Sequence, residues 1–169
     1  MNANHNRWAA RLGLAAGAAA TATAISLAAA SPAIAAESAS VANDTLTVTG
    51  TNGSDQIALR LAPGNLGILQ VVVDGTVDGS FDRTTFSKIV VLLGNGDDRF
   101  DIDQTNGAFP DEQVTVNGGN GDDILNGGDG AELFIGGNGK DAVDGNRGND
   151  TADLGTGTGV EHGVGLTGQ

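Results

Sequence analysis

From Gly118 the chain counts in nines. The first unit is Gly118-Gly119-Asn120-Gly121-Asp122-Asp123-Ile124-Leu125-Asn126, and units at Gly127, Gly136 and Gly145 follow without a break. Positions one and four are glycine in all four units. Position six is Asp123, Glu132, Asp141 and Asp150. Position eight is Leu125, Phe134, Val143 and Ala152. A period of this length constrains the fold before any local propensity does. Isolated copies lie upstream. Gly94-Asn95-Gly96-Asp97-Asp98-Arg99-Phe100 matches positions two to eight, and residues 50–57 match positions one to eight with Thr51 at the second.

Each position has a physical reading. Glycines at one, two and four let a six-residue loop turn tightly, using positive φ where a side chain would clash. They leave carbonyl oxygens uncovered, and a hard cation takes oxygen ligands. The acid at six adds formal charge. Residues seven to nine make a short strand whose eighth residue points inward.

The pattern resembles the hemolysin-type (RTX) calcium-binding repeat, G-G-x-G-x-D-x-U-x. The resemblance is close over 118–153 and looser over 50–100. It implies an all-β chain in which an N-terminal β section runs into a right-handed parallel β-roll, with two nonapeptides per coil. Loops on one edge then recur every 18 residues, with calcium between stacked loops. Asp123 and Asp141 fall on one edge, Glu132 and Asp150 on the other. The Asp98 loop joins the Asp123 loop if Gln104 to Glu112 bulges out. The resemblance implies metal ligands at Asp98, Asp123, Asp141, Asp150 and the longer Glu132, with backbone carbonyls of Gly119, Gly121, Gly137 and Gly139. Two to three Ca2+ sites are expected. The partner of Asp141 one coil on is Gly159, so no full site is expected there.

Residues 36–117 read as a β section carrying two degenerate repeats. Leu46 and Val48 alternate with threonines, as do Ile57, Leu59 and Leu61 with their neighbours, and Ile89 to Leu93 is an apolar run. Turn signals stand at Pro63-Gly64-Asn65, Asp74-Gly75 and Asp78-Gly79. The segment from Asp101 to Glu112 has acids at EF-hand spacing. Its sixth position is Asn106 and its flanks read as strands, so a solvated acidic loop is expected rather than an EF-hand. Residues 154–169 lose the acids and read as a degenerate Gly-rich tail, loose from Gly155 onward.

The first 35 residues have the layout of an export signal: Arg7 and Arg11, an Ala-rich apolar stretch from Leu12 to Ala30, and small residues at Ala33 and Ala35. Cleavage is expected near Ala35/Ala36, by the Sec route, so the protein is expected to be secreted with no membrane insertion afterward. All 21 acids and six of the eight bases remain, a net charge of 6 − 21 = −15. That surface repels nucleic acid and anionic lipid and attracts cations. No cysteine can staple the exported fold. With 28 glycines and that charge, something must offset both repulsion and backbone entropy, and bound calcium does so. His162 is the only histidine after the signal, which leaves no base for a triad in the repeats. The expectation is a non-enzymatic, extracellular calcium-binding protein whose folding is coupled to the ion. The alternative is a shortened, non-catalytic remnant of a longer secreted calcium-binding adhesin or hydrolase.

Overall fold

The computed structural model describes residues 38–157, 160–162 and 167–168; the expected export signal and Gly159 lie outside them. The described chain is all-β apart from a 3-10 turn at Arg83–Thr85. Its strands are β1 (Ser38–Ala42), β2 (Thr45–Thr49), β3 (Gln56–Ala62), β4 (Asn65–Val73), β5 (Thr76–Asp82), β6 (Lys88–Asn95) and β7 (Arg99–Asp103). They continue as β8 (Gln113–Asn120), β9 (Ile124–Asn126), β10 (Glu132–Asn138), β11 (Ala142–Asp144), β12 (Thr151–Asp153), β13 (Val160–His162) and β14 (Thr167–Gly168). They form two mixed sheets, ordered β1-β2-β6-β8-β10-β12-β14 and β13-β11-β9-β7-β3-β4-β5. From β6 onward successive strands alternate between the sheets, and from β8 onward each pairs in parallel with the strand two places earlier, while β6 and β7 pair with β2 and β3.

The pairing offsets expose the repeat. Val114 pairs with Glu132, Leu133 with Thr151 and Ile124 with Ala142, each 18 residues apart. Lys88 pairs with Gln113 and Arg99 with Ile124, 25 apart, so this layer carries 25 − 18 = 7 extra residues between β7 and β8. The expected bulge over Gln104 to Glu112 is therefore present, and strands flank it. Thr45 pairs with Lys88 and Gln56 with Arg99, 43 apart. There the extra residues are the antiparallel strands β4 and β5 and the 3-10 turn.

Strand side chains alternate between faces, and the alternating aliphatics all face inward. Leu46, Ile57, Leu59, Ile89, Val91 and Val116 are buried between the sheets, and position eight of each nonapeptide joins them. The core side chains shrink from Phe134 to Val143 and Ala152 as the chain proceeds. Asp78-Gly79 is not a turn. It lies inside β5, where the register slips between Val71 and Val72 and Asp78 is the extra residue of a bulge. The tail is not loose at every described position either: β13 pairs with β11 at the 18-residue offset, and β14 pairs with β12 at an offset of 167 − 151 = 16.

The two insertions are locked together. Arg83, in the 3-10 turn, grips Glu112 with two bonds of 2.6 and 2.9 Å and donates to the carbonyl of Leu66. Asn106 donates to the carbonyl of Leu61, and Phe109 is buried beneath. Glu112 is itself buried, so Arg83→Ala strands its charge. The expected loss is about 1–3 kcal/mol in urea unfolding. A double-mutant cycle with Glu112→Ala should recover much of it.

Candidate metal-binding edge

Four acid-bearing glycine loops stack along one edge, residues 50–55, 93–98, 118–123 and 136–141, and residues 155–157 continue the stack without an acid. In the lower three acid-bearing loops the backbone is set by glycine at positions two and four. Gly94, Gly119 and Gly137 have φ of 114, 105 and 109°, and Gly96, Gly121 and Gly139 have 122, 133 and 138°. A Cβ on Gly119 would overlap the carbonyl oxygen of Gly94, and one on Gly137 that of Gly119. A Cβ on Gly139 would likewise overlap the oxygen of Gly121. The expected carbonyl ligands thus point along the stack, each against the glycine of the next loop. Position one obeys a different rule from the one expected. Gly118 and Gly136 do not have positive φ. They are glycine because the carboxylate of Asp123 or Asp141 folds back beneath them and occupies the space of a Cβ.

Three side-chain ladders run through these loops. At position three, Asn95 donates to Asn52, Asn120 to Asn95, Asn138 to Asn120 and Thr156 to Asn138, at 2.6–2.7 Å. At position five, Asp97 accepts from the N–H of Asp122, and Asp122 from that of Lys140. At position six the acids stack. The N–H of Asp55 donates to Asp98 Oδ1 at 2.8 Å, that of Asp98 to Asp123 Oδ1 at 2.8 Å, and that of Asp123 to Asp141 Oδ1 at 3.1 Å.

Only one oxygen of each lower acid is used. Oδ2 of Asp98, Asp123 and Asp141 is buried and has no hydrogen-bond partner. These residues are 2, 0 and 1% exposed, which makes an orphaned oxygen costly. Burial pushes the Asp98 carboxyl up to about 6, with Asp123 and Asp55 adding like charge against the bond from the Asp55 N–H. Burial likewise raises Asp123, next to Asp141, and raises Asp141, next to Asp122.

The second edge brings Glu132 and Asp150 together. The N–H of Glu132 donates to Asp150 Oδ1 at 2.9 Å, and Glu132 Oε2 accepts from Gly128 at 3.0 Å. Burial and the neighbouring Asp150 push Glu132 up to about 7, and burial also raises Asp150. This loop meets the 104–112 insertion, since Gly130 lies against Pro110 and Gly128 against Gln104 and Ile102.

All five expected acids are therefore buried at loop edges, in two groups. Asp98, Asp123 and Asp141 form one column, and Glu132 and Asp150 form the other. The carboxylates stand in file, and no three His, Cys, Asp or Glu side chains cluster into a ready-made cage among the described residues. Sequence reasoning missed Asp55, the first member of the longer column, and the asparagine ladder. The alignment of residues 50–57 with the later copies marks Asp55 and Asn52 as repeat positions, but it does not place that layer on the stack. The column can do one thing chemically: it concentrates buried negative charge that either protons or a cation must offset. Fold and site together define an all-β protein of two mixed sheets joined by stacked, acid-bearing glycine loops. No family model, curated protein or solved structure matches the chain.

Proposed function

We propose that this is a secreted calcium-binding repeat protein of RTX type, a right-handed parallel β-roll whose folding is coupled to the ion outside the cell. The observation that carries the reading is the row of buried, partnerless Oδ2 atoms on Asp98, Asp123 and Asp141. A divalent cation supplies what they lack: charge compensation and oxygen coordination. Asp98, Asp123 and Asp141 would hold it on one edge and Glu132 with Asp150 on the other, with the glycine carbonyls completing the oxygen set. Glu132 carries an extra methylene and makes the weaker site. Two to three ions are proposed, and no catalysis. Before export, at low free calcium, the acidic loops repel and the chain stays loose.

Extracellular-type oxygen sites bind with a Kd of about 10⁻⁴ to 10⁻³ M. At ~1 mM calcium and a Kd of ~0.1 mM, each site adds about 1.4 kcal/mol. Two or three sites then contribute roughly 3–4 kcal/mol, comparable to a small domain's whole margin. Circular dichroism and calorimetry of the protein in calcium and in chelator test this. The expected result is a cooperative gain of β signal on calcium addition, with two to three ions bound. Equal melting in both buffers would leave a second reading, a non-catalytic remnant that needs no metal. The asparagine ladder favours that one, because it ties the loops together without an ion.

A further inference from the structure

We infer that Thr51 closes the top of the carboxylate column from within, doing for Asp55 what calcium does for the acids below, so that the N-terminal layer folds without metal and templates the rest. The inference rests on the calcium reading and adds where ion dependence begins.

Asp55 is buried like the other acids, yet neither of its oxygens is orphaned. Its Oδ2 accepts from the Thr51 N–H at 2.6 Å, and the Thr51 hydroxyl lies 2.9 and 3.1 Å from its two oxygens. The hydroxyl also accepts from the N–H of Gly53 at 3.1 Å, so its position is fixed from both sides. Threonine stands here where the loops below have Gly94, Gly119 and Gly137. The backbone differs to match. Positions two and four have positive φ in all three lower loops, and neither Thr51 nor Gly53 does. A β-branched residue reaches that region only with strain, so threonine both supplies the hydroxyl and selects the other loop shape. The core grades the same way. Leu46, Ile57, Leu59, Ile89 and Leu93 pack the first layers, against Val143 and Ala152 in the last.

Residue-resolved hydrogen exchange in calcium and in chelator tests this on the wild type, Thr51→Val and Thr51→Ser. In the wild type, removing calcium should lower protection of the Asp123 and Ala142 amides by about a hundredfold, leaving Ile57 and Leu59 within about threefold. Thr51→Val removes the hydroxyl and should cut Ile57 protection in chelator about tenfold, while Thr51→Ser, which keeps it, should match the wild type. If Ile57 responds to calcium as strongly as Asp123, or if valine changes nothing in chelator, the inference is wrong. Should valine prevent folding, the wild-type and serine profiles still decide. If Asp123 and Ala142 ignore calcium, the calcium reading fails and takes this inference with it.

Discussion

Gly121→Ala should unfold the glycine edge, whereas Gly53→Ala, at the same position of the first loop, should be tolerated. The two sites share position four of the repeat and differ in everything that matters to a methyl group. Gly121 sits at φ 133°, and a Cβ there would overlap the carbonyl oxygen of Gly96. Holding an L-residue in that region costs about 1–3 kcal/mol. The overlap adds to it, because the obstacle is backbone in a hydrogen-bonded stack rather than the end of a side chain. The loop could escape only by sliding off Gly96, which would break the Asn120–Asn95 and Asp98–Asp123 bonds together. We expect a loss of at least about 3 kcal/mol in urea unfolding, comparable to the loss of a large core side chain. Gly53 lacks positive φ, and its nearest contact for a Cβ is the Thr51 hydroxyl at 3.8 Å. Alanine there restricts the unfolded chain and should shift stability by no more than about 1 kcal/mol, upward if at all. Equal losses at the two positions would mean that the loops do not stack in this register.

The contrast shows where sequence and structure part company. Position eight was legible as the core because an apolar residue recurs there every nine, and Leu125, Phe134, Val143 and Ala152 are all buried. The 18-residue pairing of the acids followed from the same count. Asp98 could be placed on Asp123 because the intervening 104–112 segment looks unlike a strand. Asp55 could not be placed so easily. Its layer lies 43 residues from the next, and nothing in the composition of β4 and β5 marks them as an antiparallel excursion from an otherwise parallel stack. Arg83 and Glu112 were equally silent, because their pairing depends on two insertions folding back onto each other. Glycine at position one was expected for the wrong reason: identity alone does not separate a residue chosen for φ from one chosen for the room it leaves a carboxylate. The asparagines at position three carry no distinctive signal, because asparagine serves turns in any loop, and their ladder appears only once the loops are in register.

The calcium reading makes its sharpest prediction at Asp123, where one substitution should reverse sign with the metal. Asp123→Asn keeps an acceptor for the N–H of Asp98, removes a charge lying near Asp98 and Asp141, and offers a donor in place of an orphaned oxygen. In chelator at pH 8 it should therefore stabilise the protein, by about 1 kcal/mol. In ~1 mM calcium it removes a charged ligand and should destabilise by about the 1.4 kcal/mol that one site supplies. The pH dependence must follow the same logic. Folding raises Asp98 to about 6 and Glu132 to about 7 and also raises Asp123 and Asp141, so the native state binds protons that the unfolded chain has released. Their contribution to stability is complete below the unfolded values, near 4, and is lost as pH climbs through the folded ones. Without metal, the melting temperature should fall between pH 5 and pH 8. With saturating calcium the order reverses, since acid now competes with the ion for the same oxygens. Thermal melts of the wild type and Asp123→Asn across that range, with and without chelator, separate the two offsetting agents. A substitution effect of one sign in both buffers, or a wild-type profile that calcium leaves unchanged, would show that the column is held by its backbone and asparagine bonds alone.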